Sequence, residues 1–118
     1  MVTYPIEFTS WLEDYDHTFS GWDFSTITGT GRMDSEPLHW SYVSLLTPYL
    51  MRSACMLDMG TGGGELLSVL RPLPKQVFAT EAYPPNVPIA RQRLEPLGIT
   101  VESLEQDEHL PFKDQQFD

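Results

Sequence analysis

Four glycines, at positions 60, 62, 63 and 64, follow a short apolar segment that ends in the acidic residue Asp58. Because glycine has no Cβ and adopts positive φ without strain, such a turn lets the main chain approach a ligand closely. Residues 65–70 have a helical pattern, so the turn is predicted to lie at a helix N-terminus, where unpaired N–H groups attract a carboxylate or a phosphate. This junction therefore predicts a binding turn for a nucleotide-like cofactor.

The spacing of the glycines separates the kinds of cofactor loop. In a dinucleotide-binding G-x-G-x-x-G loop that starts at Gly60, the third glycine would be Glu65, and in one that starts at Gly62 it would be Leu67. A phosphate-binding loop of the Walker type needs lysine and then serine or threonine directly after the glycines, where this chain has Glu65 and Leu66. The pattern that fits is Asp58-x-Gly60-x-Gly62-x-Gly64, which resembles the first motif of the class I S-adenosylmethionine-dependent methyltransferases.

The resemblance implies roles for these residues. In that family the glycine turn, here Gly60, Thr61, Gly62 and Gly64, receives the methionine part of the cofactor, and the leading acid, here Asp58, helps to hold its amino group. S-adenosylmethionine is therefore the expected cofactor.

A second similarity lies 23 residues after Asp58, at Glu81. Residues 76–81 predict a strand that ends in this acid, and an interval of roughly 20 residues places a carboxylate on ribose hydroxyls in a strand-helix-strand unit. A carboxylate suits a diol because it accepts a hydrogen bond from each hydroxyl. Glu81, with Ala82 beside it, is the predicted ribose contact.

The third similarity is the segment 110–118, which resembles the family's stretch before its fourth strand through Leu110, Pro111, Phe112, Asp114, Phe117 and Asp118. By the same alignment, the acid that usually meets the adenine amino group corresponds to Gln106, and Asp107 lies one place later. The amide oxygen of Gln106 could accept from adenine, and a shift of one residue would bring Asp107 in its place. Both stay candidates.

The alternation of elements predicts an α/β fold, a Rossmann-like parallel sheet that represents part of the class I methyltransferase fold. Strands are expected at about 54–58, 76–81 and 99–104, with helices at about 64–70 and 86–97 between them. The ligand-binding edge of such a sheet lies beyond the carboxyl ends of its strands. Residues 51–118 are thus predicted to form the cofactor-binding half domain.

Residues 1–50 are predicted to form a helical, aromatic-rich cap that carries ten aromatic side chains. Phe8, Trp11, Leu12 and Tyr15 have the spacing of one helical stripe. The segment 19–32 is typical of a loop. A second helix is expected to start near Asp34 or Ser35 and to run through Leu50, with Pro48 bending or ending it.

In the family, a fourth strand beside the first, and then three more, follow the Phe-Asp pair, so we expect this chain to be the cofactor-binding half of a longer protein. The first strand would then have an exposed edge, which is a site for pairing with another chain. Self-association, or coverage by the N-terminal segment, is expected to protect that edge.

The composition restricts partners and compartment. Seven basic and seventeen acidic residues give a net charge of −10, which disfavours nucleic acid as a partner. One cysteine excludes an internal disulfide, and the chain has neither a signal-peptide pattern nor a long apolar run, so the cytoplasm is expected and a membrane is not. The three histidines have no metal-binding spacing, so no metal site is expected.

The predicted function is transfer of a methyl group from S-adenosylmethionine to an unidentified acceptor. No residue can be assigned as catalytic, because a general base would normally come from the part of the family fold that follows residue 118. Two alternatives stay open: a nicotinamide-dinucleotide-binding Rossmann module, and a non-catalytic methyltransferase-like domain that acts in protein interaction.

Overall fold

The structure, a computed structural model, describes residues 5–17, 23–106 and 108–118. Three helices come first, α1 (Ile6–Asp16), α2 (Ser25–Thr28) and α3 (Tyr42–Leu50). Strands and helices then alternate as β1 (Cys55–Met59), α4 (Glu65–Val69), β2 (Gln76–Glu81), α5 (Val87–Leu94) and β3 (Thr100–Ser103). A short 3-10 helix, Glu95–Leu97, connects α5 to the turn at Gly98.

The three strands form one parallel sheet in the order β1-β2-β3. This confirms the predicted α/β class, since parallel neighbours require the crossover helices α4 and α5 between them. In the register, Asp58 lies opposite Ala79, and Glu81 lies opposite Ser103. The acids at the ends of β1 and β2 are therefore on the carboxyl edge of the sheet, as predicted.

A single apolar cluster holds the strands and the two crossover helices together. Its buried members are Leu50, Leu67, Leu70, Val77, Ala79, Ala90, Leu94, Ile99 and Val101. Leu94, at the end of α5, is fully buried. Leu50, the last residue of α3 and of the predicted N-terminal cap, thus packs with the sheet. The predicted division of the chain into residues 1–50 and 51–118 stays a prediction.

The segment 110–118 returns from β3 across the sheet to the beginning of β1. Phe112 and Phe117 pack edge-to-face on each other and on Phe78 of β2, with ring centroids 5.0 to 5.7 Å apart. Asp118 then donates its N–H to the Cys55 carbonyl at 3.1 Å, and its carboxylate accepts from the N–H groups of Ala54 at 2.6 Å and Cys55 at 2.8 Å. The segment thus fixes the start of β1 and the residue before it.

The aromatic cap is not confirmed. The predicted helix with Phe8, Trp11, Leu12 and Tyr15 exists as α1, but none of its residues is buried, and Tyr15 is 86% exposed. The predicted loop at 19–32 contains the helix α2. Three members of the aromatic set, Tyr4, Phe19 and Trp22, lie outside the described residues.

The second predicted helix starts later than the sequence suggests. Asp34 accepts from the N–H of the adjacent Ser35 at 2.8 Å, which is not the contact that starts a helix. Ser41 instead accepts from the N–H of Ser44, the third residue of α3, at 3.2 Å. Asp34 and Ser41 are both able to cap a helix, but it is Ser41 that accepts from an N–H group left unpaired in the first turn. Helix α3 therefore begins at Tyr42.

β1 forms one end of the sheet in the part of the chain that the structure describes. Asp118 contacts its first residue, and α3 borders a groove of about 190 Å³ beside it, with Tyr42, Leu46 and Tyr49 in the wall. Self-association through this edge stays a prediction. Over the described ranges, no helix is long and apolar enough to cross a membrane.

Candidate functional site

The glycine turn is tied to β2 by its own amides. The N–H of Thr61 donates to the Thr80 carbonyl at 2.9 Å, and the N–H of Gly60 donates to the Thr80 hydroxyl at 3.4 Å. The N–H of Gly62 donates to Glu81 Oε2 at 2.6 Å, and that of Gly64 to the Thr61 carbonyl at 3.1 Å. Four amides of the turn thus already have protein acceptors.

This arrangement corrects the expectation of an anion-binding turn. Amides that donate to protein oxygens are not unpaired donors for a phosphate, and α4 has only five residues, so it contributes few aligned peptide dipoles. The sequence could not reveal this, because a glycine-rich pattern specifies a turn without specifying where its N–H groups point. The turn is held in shape by β2 before any ligand is bound.

Glu81 is the acidic residue of β2 that binds the turn. It is 7% exposed, and its two oxygens accept separately, Oε2 from the N–H of Gly62 at 2.6 Å and Oε1 from the N–H of Tyr83 at 2.7 Å. A carboxylate has about four acceptor positions, so each oxygen keeps capacity for one more donor. Glu81 therefore organises the turn and can still receive hydroxyl groups.

Asp58 lies at the end of β1, half-buried, and within the described residues it has no ion-pair partner. Burial raises the pKa of the Asp58 carboxyl, because a low-dielectric environment disfavours its charged form. The neighbouring Thr61 hydroxyl lowers the pKa by less. That hydroxyl is buried and completes no hydrogen bond within the described part of the chain, so it offsets only a part of the cost of burial.

Two motif glycines face different surroundings. Both have positive φ, +69° at Gly60 and +78° at Gly64, a conformation that side chains disfavour. A Cβ on Gly60 would have open space around it, whereas a Cβ on Gly64 would lie 2.7 Å from Leu94 Cγ and 2.8 Å from Leu94 Cδ1. Gly60 thus leaves room on the open side of the turn, and Gly64 permits close packing on α5.

Sequence reasoning missed a group behind the turn, formed by Gly63, Glu65 and Arg93. Arg93 Nη1 donates to the Gly63 carbonyl and lies 2.7 Å from Glu65 Oε1. The signal that could have revealed it is Gly63 itself, which occupies a motif position where glycine is not required.

The predicted adenine contacts are placed in part. Gln106 is exposed and, with Ser103, Leu104 and His109, lines a cavity of about 320 Å³ beyond the end of β3. The N–H of Leu104 donates to the Glu81 carbonyl at 3.0 Å, which brings this cavity beside the end of β2. Ala82 is exposed at the same edge, and Asp107 lies outside the described residues.

Comparison with known proteins identifies the family. The model of a family described as a methyltransferase domain matches residues 57–118, which are 62 of the 118 residues and include the glycine turn, Glu81 and the Phe-Asp pair. Searches of curated proteins and of solved structures found no match to the chain. Since the family model covers more than half of the sequence, the chain belongs to the class I S-adenosylmethionine-dependent methyltransferases.

Proposed function

We propose that the protein binds S-adenosylmethionine at the carboxyl edge of its sheet and acts in the transfer of the methyl group to an acceptor. The observation that carries the proposal is the pair of carboxylates, Asp58 and Glu81, at the carboxyl ends of neighbouring strands beside a turn that is already held in shape. Asp58 is half-buried without a cationic partner among the described residues, which suits the ammonium of the methionine part. Glu81 keeps acceptor capacity for the ribose hydroxyls.

Three features of the chain fit this cofactor. Gly60 leaves open space where a side chain would stand, Thr61 has a buried hydroxyl beside Asp58, and the cavity at Gln106 continues the site beyond β3. In this arrangement the methionine part would lie at the turn, the ribose at Glu81, and the adenine at Gln106, with Ala82 beside it. Gly62 and Gly64 support the turn from within.

The charge of the site supports this cofactor over a dinucleotide. A pyrophosphate needs unpaired amides or a basic side chain, but the N–H groups of Gly60, Thr61, Gly62 and Gly64 have protein acceptors. The site also carries two carboxylates, which repel a pyrophosphate and attract the ammonium and sulfonium of S-adenosylmethionine. A nicotinamide dinucleotide is therefore the weaker candidate.

The bound cofactor would supply an activated methyl group on its sulfonium. The residues described above would fix its orientation and limit its access to water, which are the main protein contributions to an in-line displacement. The acceptor is unidentified. With a net charge of −10, we expect a small molecule or a protein in preference to nucleic acid, and we expect the cytoplasm as compartment.

Calorimetry with S-adenosylmethionine, S-adenosylhomocysteine and NAD tests the proposal. The first two should bind and NAD should not. Asp58→Asn and Glu81→Gln should each weaken binding about 10- to 100-fold, since each removes a charged hydrogen-bond partner worth about 1.5–3 kcal/mol. Glu13→Gln, an exposed acid on α1, is the matched control and should bind like the wild type.

Each outcome has a distinct meaning. Preferential binding of NAD would overturn the proposal in favour of the dinucleotide-binding module. Binding of none of the three compounds would leave a methyltransferase-like domain that acts only in protein interaction. Equal losses in Glu13→Gln and Glu81→Gln would show that the effect arises from overall charge and not from the site.

A further inference from the structure

Behind the glycine turn, on the side of α5, lies a group of three residues that we call the loop brace: Gly63, Glu65 and Arg93. Arg93 comes from the last turn of α5, and Glu65 is the first residue of α4. One guanidinium nitrogen, Nη1, donates to the buried Gly63 carbonyl and lies 2.7 Å from Glu65 Oε1. The brace therefore connects the turn to both crossover helices.

The brace explains a glycine that the motif does not require. A Cβ on Gly63 would lie 2.3 Å from Glu65 Oε1 and 3.0 Å from Arg93 Nη1, so the two charged groups occupy the space of a side chain at this position. Gly63, unlike its neighbours Gly62 and Gly64, is not among the glycines with positive φ. Its requirement is thus for space and not for backbone conformation.

The Arg93 and Glu65 side chains are 38% and 46% exposed, and such surface ion pairs contribute little to overall stability. The contact of Arg93 with the Gly63 carbonyl has another effect than the ion pair, because this carbonyl belongs to the turn that carries Gly60 and Gly62 toward the ligand side. Two side chains from different elements then hold the turn, Glu81 of β2 at the N–H of Gly62 and Arg93 of α5 at the carbonyl of Gly63.

We propose that Arg93 is a positioning residue that holds the glycine turn in the conformation that binds the cofactor, acting through the Gly63 carbonyl and held in place by Glu65. This inference rests on the proposed function, since cofactor affinity is its first readout. In this proposal Arg93 acts through the main chain of the turn and not by direct contact with the cofactor. It reduces the loop motion that binding would otherwise have to restrict.

The experiment compares Arg93→Gln with Arg91→Gln. Arg91 lies on the same helix and pairs only loosely with Glu95, at 3.8 Å, so it is a matched control for charge. We expect S-adenosylhomocysteine to bind Arg93→Gln about tenfold more weakly than Arg91→Gln, as expected for loss of a hydrogen bond from a charged donor. The thermal midpoints of the two variants should be similar, and Arg93→Lys should recover part of the affinity.

A double-mutant cycle separates positioning from a general packing effect. Gly63→Ala should displace the flexible ends of Glu65 and Arg93 and so weaken binding by itself. If both changes act by removing the brace, Gly63→Ala combined with Arg93→Gln should bind no more weakly than the worse single variant. Additive losses would overturn the proposal, as would equal affinities of Arg93→Gln and Arg91→Gln.

Amide hydrogen exchange tests the brace without any ligand. In Arg93→Gln the amides of Gly62 and Gly64 should exchange faster than in the wild type, while amides of β2 should be unchanged. If the wild type binds no S-adenosylhomocysteine, the proposed function fails, and these exchange rates alone decide whether the brace exists. Unchanged exchange at both glycines would refute it.

Discussion

Gly60 and Gly64 form a matched pair for testing how the turn is built. Both have positive φ, so alanine at either position should cost about 1–2 kcal/mol for the left-handed backbone alone. At Gly64 the new Cβ would also overlap with Leu94, which is fully buried and cannot move into solvent. Overpacking of a core adds about 1–3 kcal/mol. We therefore expect losses of about 2–5 kcal/mol for Gly64→Ala and about 1–2 kcal/mol for Gly60→Ala.

Equilibrium unfolding in urea, followed by far-ultraviolet circular dichroism, measures both free energies. Tryptophan fluorescence is unsuitable, because the three tryptophans are at positions 11, 22 and 40 of the sequence, and none belongs to the strands, which begin at Cys55. The slope of the free energy against urea should be the same in both variants, so that a shift of the midpoint reports stability. Affinity for S-adenosylhomocysteine measures a different effect. Gly60→Ala should stay folded but bind weakly, because its Cβ occupies the open side of the turn.

The contact with Leu94 can be tested directly. Leu94→Ala removes the three atoms nearest to the Cβ of Gly64→Ala, so the double variant should lose less stability than the sum of the single variants. If the losses add, or if Gly64→Ala is no less stable than Gly60→Ala, Gly64 is not required by its packing on α5 and the reasoning is wrong.

Two further predictions concern Asp58 and the end of the chain. Burial raises the pKa of Asp58, so its charged form reduces the stability of the fold above the unfolded pKa of about 3.9. Asp58→Asn should therefore raise the thermal midpoint of the unliganded protein at neutral pH but not at about pH 3. A gain that does not depend on pH would contradict this. Phe117→Ala should lower the free energy of unfolding in urea by about 1–3 kcal/mol, because Phe117 is half-buried against Phe78 and Phe112. The control is Tyr15→Ala, which should change it by less than about 0.5 kcal/mol because Tyr15 is 86% exposed. Equal losses would show that the aromatic contacts contribute nothing.

The strand-helix half of the fold was predictable because the pattern of apolar residues there agrees with the residues that end each element, such as Gly98. β2 has the predicted bounds, 76–81, and α5 with its 3-10 extension ends before Gly98, as the pattern indicates. The N-terminal half was less predictable because local signals compete. Asp34 and Ser41 are both able to cap a helix, and only the tertiary position of α3, fixed by burial of Leu50, decides between them. The stripe on α1 predicts a helix correctly but does not show what covers it.

The candidate site was predictable in its residues and not in its hydrogen bonds. The spacing of Asp58 and Glu81 is a property of the chain, and parallel strands bring both acids to one edge. The direction of the turn's N–H groups depends on the register between β1 and β2, which places Glu81 against Gly62. Arg93 was not predictable, since an arginine near the end of a helix usually has a solvated side chain.

Glycine occurs at positions 62, 63 and 64 for different physical reasons. Gly62 and Gly64 share positive φ, so their requirement lies in the backbone and persists whatever side chains surround them. At Gly63 a Cβ is opposed instead by the flexible ends of the Glu65 and Arg93 side chains, which fill the adjoining space. It follows that alanine at 63 should become harmless once Arg93 and Glu65 are shortened, whereas no change on α5 should make alanine at 64 free of backbone strain. The motif glycines are thus fixed by the chain's conformation, and the extra one by the brace.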